Sequence, residues 1–262
     1  MHAVMYLIKF GGSVITEKSN ENAVFKESLM NDLAKSLSSA GKQYLIVHGA
    51  GSFGHVLAKK YQLNKGFHTR SQRIGFGLTQ TKVQELNMYV LRSLQQQGLP
   101  AVSIPPHATF LFDNHQVHNF KKDVYEQYLS EGYVPVTYGD VILDKSQGFS
   151  ICSGDTLILL LATKFQPDKV IFVVDEDGLF DDNPKKNPNA RLIAHATSET
   201  LQKITTKKDD HADVTGGMQG KIDTILQIAN QNIDVMLLNG NKPGRLYDAL
   251  VGNETTSTLI QR

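Results

Sequence analysis

Tyr6-Leu7-Ile8-Lys9-Phe10-Gly11-Gly12-Ser13 is an apolar run that breaks on glycine, and Tyr44-Leu45-Ile46-Val47-His48-Gly49-Ala50-Gly51-Ser52-Phe53-Gly54-His55 has the same design. Each reads as a buried strand that runs into a turn whose backbone N–H groups are free. Glycine lets a backbone approach a phosphate closely, and a following helix N-terminus favours negative charge. Two such turns close together in the chain, with Lys9 inside the first, predict a site that holds two phosphorylated groups side by side. The nucleotide loop G-x-x-x-x-G-K-[ST] is absent, and the dinucleotide look of the second turn is weak evidence when it stands alone.

Around these turns strand-like and helix-like segments alternate. Val4–Phe10, Gln43–Val47, Ala101–Ile104, Val134–Thr137, Lys169–Val174 and Ile233–Leu238 read as strands. Val141–Leu143 and Phe149–Ile151 read as a hairpin around Asp144–Gly148, and Thr256–Ile260 as a closing edge strand. Helical spacing covers Phe25–Ala40, ended by Gly41, then Gly51–Tyr61, then Ser71–Gln97, stopped by Gly98 and Pro100. It returns at Lys121–Glu131, Thr156–Lys164, Thr197–Ile204, Gly217–Gln231 and Gly244–Leu250. This order predicts an α/β protein, a three-layer αβα sandwich with a mainly parallel central sheet covered on both faces. Ligands of open α/β sheets bind at the C-terminal ends of the strands. The loops Lys9–Lys18, His48–His55, Gly139–Asp140 and Asp175–Asp182 are expected to converge there. No internal repeat, linker or domain boundary is evident, so residues 1–262 are read as one domain. Asn20–Asn22, Asp181–Arg191 and Lys207–Asp213 read as mobile polar loops.

The bulk properties fit this reading. The chain has 262 residues, 40% of them hydrophobic, and a formal net charge of +1. It shows no basic stripe of the kind that marks a nucleic-acid partner. The single cysteine, Cys152, excludes an internal disulfide framework and a cysteine-rich metal site, and fits a reducing cytoplasm. The N-terminus lacks a basic segment followed by a long apolar one, so it is not read as a secretory signal. The longest apolar stretch, Leu157–Ala162, is far short of the ~20 residues a membrane helix needs.

The residues that carry charge near the turns each have a plain alternative. Lys9 is read as a cation aimed at phosphate oxygens, against a lysine snorkelling at a strand end. His55 is read as a phosphate donor, against a surface histidine. Ser153-Gly154-Asp155-Thr156 opens a helix, so Ser153 or Asp155 is an N-cap or, for Asp155, the group that orients nearby lysines. Lys221, after the glycine-rich stretch Thr215-Gly216-Gly217-Met218-Gln219-Gly220, is a phosphate cation or a solvated lysine. Asp175–Asp182 lacks the spacing of a calcium loop and better suits a sugar, an adenine or a magnesium–nucleotide. Cations from distant segments, several glycine turns and no paired acid–base histidines suit phosphoryl transfer, where positioning and electrostatics supply most of the rate.

These motifs resemble the amino acid kinase family over essentially the whole chain, from Lys9-Phe10-Gly11-Gly12-Ser13 through Ser153-Gly154-Asp155 and Asp175-Glu176-Asp177-Gly178 to the Gly216–Lys221 stretch. The terminal His55 of the second motif, with Gly11–Lys18 and Asn239-Gly240-Asn241, is similar to the branch whose acceptors are phosphates or phosphonates. The resemblance implies ATP-dependent phosphorylation of isopentenyl phosphate with Mg2+, in a cytoplasmic homodimer, without a nucleic-acid, membrane or protein-held metal partner. It implies that Lys9, Gly11, Gly12 and Ser13 hold ATP phosphates, that Lys18 stabilises the transition state, and that Asp155 orients Lys9 and Lys221. It further implies that Gly51, Asp175, Gly178, Gly217 and Lys221 contact the nucleotide. Ala50, Gly51, His55 and Gly154 would bind the acceptor. The part up to about residue 165 would form the acceptor side, and about 166–262 the nucleotide side. Glu176-Asp177 departs from the small or apolar residue many relatives carry before the Asp-Gly. An apolar tail would meet Ile74, Phe76, Leu78, Val141 and Ile142. Another small phosphonate such as fosfomycin remains an alternative acceptor. A non-catalytic sensor on the same fold is a second alternative, opposed by the joint presence of Lys9, Lys18, Asp155 and Lys221. A dehydrogenase is the weakest.

Overall fold

The structure is a computed structural model that describes residues 5–17, 23–182, 184, 186–197, 199–201, 216–242 and 244–261. Lys18, Asn20–Asn22, Lys207–Asp213 and half of the expected helix Thr197–Ile204 lie outside the described residues. The described strands are β1 (Met5–Phe10), β2 (Gln43–His48), β3 (Ala101–Ser103), β4 (Phe110–Asp113), β5 (Gln116–Phe120), β6 (Val134–Tyr138), β7 (Asp140–Asp144), β8 (Gly148–Cys152), β9 (Lys169–Val174), β10 (His195–Ala196), β11 (Asp234–Asn239) and β12 (Ser257–Ile260). The helices are α1 (Gly12–Ile15), α2 (Glu27–Ala40), α3 (Gly51–Lys60), α4 (Arg70–Gln96), α5 (Pro106–Thr109), α6 (Lys122–Ser130), α7 (Gly154–Phe165), α8 (Gly216–Ala229) and α9 (Arg245–Val251).

Eight strands form one sheet in the order β10-β12-β11-β9-β1-β2-β6-β3. From β11 through β3 every neighbouring pair is parallel, and β12 runs antiparallel to β11. β12 therefore does not close the sheet as the expected edge strand, because the two-residue β10 pairs outside it.

Strand periodicity sorts the side chains into two layers. Leu7, Leu45, Val47, Phe172 and Leu237 pack with Leu157, Ile158 and Leu161 of α7 and Ile225 of α8. Their neighbours Ile8, Phe10, Ile46, Val173 and Leu238 pack on the other face with Met30 of α2, Val90 of α4 and Leu250 of α9. Helices cover both faces because consecutive residues of each central strand are apolar, so each face must be buried.

The helix ends follow local chemistry. α2 stops at Gly41, which has φ +59° and returns its N–H to Leu37 O at 3.2 Å. Ser153 Oγ accepts from Thr156 N at 3.0 Å and starts α7. Gln72 Oε1 accepts from Thr69 N at 2.9 Å and starts α4.

A four-stranded sheet, β5-β4-β7-β8, lies beyond β6. It contains the expected β7–β8 hairpin and a second hairpin, β4–β5, that the sequence does not signal. The β4–β5 turn places Asn114 and His115 at φ +48° and +62° without a glycine. The buried Asp144 supports it, accepting from Asn114 N at 3.0 Å and His115 N at 2.9 Å. Burial draws the Asp144 carboxyl upward, but the Ser150 hydroxyl and the N–H groups of His115, Gln147 and Asn114 outweigh it and hold it well below the usual carboxylate range. The segment Asp181–Arg191 is closed at its base by Asp181 N to Arg191 O at 3.1 Å and Arg191 N to Asp181 Oδ1 at 2.7 Å.

Candidate active site

Just past the strand ends, the ladder continues through the glycine turns. Gly11 N donates to Val173 O at 2.9 Å, Gly49 N to Phe10 O at 2.9 Å, Gly139 N to His48 O at 2.9 Å and Gly240 N to Val174 O at 2.8 Å. These bonds hold the loops after β1, β2, β6 and β9 side by side at one sheet edge, as the sequence predicts, and add the loop after β11 to them. The two glycine turns after β1 and β2 touch through their backbones. A Cβ on Gly12 would lie 2.6 Å from Gly51 N, and one on Gly49 would lie 2.6 Å from Gly12 N. Gly49, Gly51 and Gly54 do stand at the spacing G-x-G-x-x-G. Here the spacing answers to packing, since a Cβ on Gly54 would meet Ala50 Cβ at 2.6 Å and Val83 Cγ1 at 2.9 Å. The first N–H groups of α1, α3 and α7 face no carbonyl of their own helices, and all three N-termini open on the same cleft.

The cleft has a volume of about 630 Å3. Among the residues singled out in the sequence, Lys9, Gly11, Gly12, Ser13, Ala50, Gly51, His55, Gly154, Asp155, Asp175 and Lys221 line it. Lys9 is 5% exposed, because strand alternation turns it to the same face as Leu7, toward α7. Its Nζ lies 3.2 Å from Asp155 Oδ1 and 5.8 Å from the centre of the Phe172 ring. Asp155 Oδ1 has no aligned hydrogen bond, so the contact is one of charge, with an oxygen left to take a further donor. His55 is exposed on the second turn of α3, and Gly217 lies in the first turn of α8.

Two parts of the expected nucleotide loop do other work. Gly178, with φ +154°, is buried where a Cβ would meet Thr258 Oγ1 at 2.4 Å, and it does not line the cleft. Asp177 Oδ1 accepts from Arg245 Nη1 at 2.6 Å and from Asn239 Nδ2 at 2.9 Å. The Arg245 guanidinium, then Asn239, hold its carboxyl below the ordinary value. The unusual Glu176-Asp177 pair thus supplies a clip between the loop after β9 and α9, while Glu176 lines the cleft.

The expected tail wall is corrected. Ile74 is 63% and Leu78 44% exposed, and neither lines the cleft. Ile142 points the other way, into the core under α7. Its neighbour Val141 does line the cleft, with Val56, Ala58, Val83 and Ile151 completing an apolar wall. Phe76 stands behind it, packed on Val141 and Phe149.

Several residues in or beside the cleft were given no role of their own in the sequence reading. Thr16, inside the first turn's own segment, and Ser52 line the cleft. Asp140 also lines it, and its Oδ2 lies 2.6 Å from His107 Nδ1 while its Oδ1 accepts from Val141 N at 2.8 Å. Burial pushes the Asp140 carboxyl up, and His107 opposes that. His48, directly before Gly49, is fully buried, with Nδ1 3.0 Å from Gly49 O and Nε2 3.2 Å from the Asn87 side-chain amide. Burial lowers its pKa to about 4. The only available signal was position, since each sits beside a glycine turn.

The profile of the amino acid kinase family matches residues 5–239. An isopentenyl phosphate kinase of Methanothermobacter thermautotrophicus is 38% identical, with 98% of each chain covered. One of Thermoplasma acidophilum is 31% identical over 96% of this chain and 97% of its own. A crystal structure of isopentenyl phosphate kinase superposes with a TM-score of 0.85 at 35% identity, covering 98% of this chain and all of the other.

Proposed function

The chain belongs to the amino acid kinase family, and on that premise we propose that it transfers the γ-phosphoryl group of ATP to isopentenyl phosphate, giving isopentenyl diphosphate and ADP. The observation that carries this reading is the backbone contact of the Gly11–Ser13 and Gly49–Gly51 turns, which sets two anion-binding surfaces side by side under one buried lysine. Reaction between two polyanions needs that juxtaposition.

In this reading Lys9 and the N–H groups at Gly11–Ser13 hold the donor phosphates, with Asp175, Gly217 and Lys221 on the nucleotide side. Ala50, Gly51, Gly154 and His55 hold the acceptor phosphate. An acceptor oxygen attacks Pγ, the bond from Pγ to the β–γ bridging oxygen breaks, and the electron pair leaves with ADP. Lys18 and Lys221 stabilise the charge as it moves, and Asp155 keeps Lys9 aimed. Mg2+ bound with ATP would neutralise phosphate charge, and Asp175 and Glu176, which line the cleft, would supply oxygen ligands for it. The part up to about residue 165 is then the acceptor side and the remainder the nucleotide side. The apolar wall of Val56, Val83, Val141 and Ile151 suits a short hydrocarbon tail and favours isopentenyl phosphate over a polar phosphonate.

The same reading takes the enzyme as a cytoplasmic homodimer. Ile74, Leu78 and Met88 are exposed on one face of α4, which supports a second copy. ADP release, coupled to an optical assay, across isopentenyl, dimethylallyl and geranyl phosphates, fosfomycin and glutamate tests the assignment. Preference for fosfomycin or glutamate overturns the substrate, and failure with every acceptor overturns the activity.

A further inference from the structure

Thr16 is 2% exposed and lies at the C-terminal end of α1. Its Oγ1 donates to Gly12 O at 2.7 Å, and its own N–H reaches the same carbonyl at 3.0 Å. The same Oγ1 accepts from Ser52 N at 3.2 Å. One hydroxyl therefore ties the Gly12 carbonyl of the first glycine turn to the N–H of Ser52 in the first turn of α3, 36 residues beyond Thr16 in sequence. The approach is tight, since a Cβ on Gly51 would fall 2.3 Å from this oxygen. The proton is committed to Gly12 and a lone pair to Ser52, so Thr16 lines the cleft without a donor left for a phosphate.

We propose that Thr16 is a positioning residue that fixes the distance between donor and acceptor phosphates. This rests on the phosphoryl-transfer reading above. Each turn still binds its own ligand when the clamp is lost, because its N–H groups remain, with Lys9 beside the first turn and His55 beside the second. What suffers is the alignment of the two ligands, and reaction rate is steep in that alignment. The clamp thus acts on kcat and spares the two KM values.

The test compares Thr16→Val, which keeps the shape and removes both hydrogen bonds, with Thr16→Ser, which keeps them. The expected result for Thr16→Val is a fall in kcat of at least tenfold, with the KM values for ATP and isopentenyl phosphate within about threefold of wild type. Thr16→Ser should stay within about threefold in all constants. Thr16→Ala carries the same expectation and serves if the valine variant does not fold. Melting temperature and circular dichroism establish that each variant assayed is folded. A folded Thr16→Val or Thr16→Ala with wild-type kcat overturns the proposal, as does a Thr16→Ser as impaired as valine. An inactive wild type instead overturns the phosphoryl-transfer reading itself, so the two failures are distinct.

Discussion

Lys9 Nζ and Asp155 Oδ1 lie 3.2 Å apart, across the gap between the end of β1 and the first turn of α7. The lysine is nearly buried and the carboxylate about a third exposed, with side-chain exposures of 6% and 31%. A lysine this deep needs a counter-charge, and Asp155 is placed to aim it without covering it. Asp155→Asn keeps the shape and removes the charge. It should lower kcat at least tenfold and cost about 1–3 kcal/mol of stability, between the values for exposed and buried pairs. A double-mutant cycle with Lys9→Met on kcat/KM should show strong non-additivity. Additive losses would mean that Asp155 does not act through Lys9.

His55 stands on the second turn of α3 and lines the cleft. A hydrogen bond to a charged phosphate contributes about 1.5–3 kcal/mol, which is roughly ten- to a hundredfold in kcat/KM. His55→Ala should lose that much toward isopentenyl phosphate while the dissociation constant for ATP, measured by calorimetry, stays near wild type. His55→Gln should recover part of it, since the amide still donates. Near-normal kinetics for the alanine variant would remove His55 from the acceptor site.

The central strands were legible because they are apolar on both faces, and β1, β2, β6 and β11 also run into glycine. Lys169–Val174 is both the expected and the observed strand. The convergence of the glycine loops was legible too, since parallel strands bring their C-terminal loops to one edge. What stayed hidden depends on contacts distant in sequence. The turn at Asn114-His115 has no glycine and is held by Asp144, 30 and 29 residues on. The Thr16 clamp joins segments 36 residues apart. Which face of the β7–β8 hairpin meets the cleft could not be read from Val141-Ile142, where both residues are apolar and a shift of one reverses the answer.

His48 sets a pH limit on the fold. Burial keeps the ring neutral, with Nδ1 facing Gly49 O and Nε2 facing Asn87 Oδ1. Its folded pKa of about 4 lies below the ordinary 6.5. Below pH 6.5 the unfolded chain binds a proton that the native ring refuses. The stabilisation is therefore complete above about pH 6.5 and is lost as pH falls toward 4, at about 1.4 kcal/mol per pH unit, or about 3 kcal/mol in all. Urea unfolding of wild type and His48→Gln at pH 7 and pH 4 isolates this group. The gap between their stabilities should shrink, or reverse, by about that amount, and a constant gap would show that His48 charges freely in the native state.

The acceptor tail tests the corrected wall. A five-carbon tail buries roughly 100 Å2 of apolar surface, worth about 2.5 kcal/mol. A wall formed by Val56, Val83, Val141 and Ile151 should close behind it and exclude ten-carbon tails by overlap. Isopentenyl and dimethylallyl phosphates should be good substrates and geranyl phosphate a poor one. Val141→Ala and Ile151→Ala shorten side chains that line the cleft, and each should raise the ratio of kcat/KM for geranyl over isopentenyl phosphate at least fivefold. Ile74→Ala is the surface control, since Ile74 is 63% exposed and outside the cleft, and should leave the ratio unchanged. Ile142→Ala is the core control. It empties space under α7 and should cost about 2–5 kcal/mol of stability with the same ratio. A ratio that moved with Ile142 or Ile74 but not with Val141 and Ile151 would put the tail elsewhere and return the wall to the face first expected from the sequence.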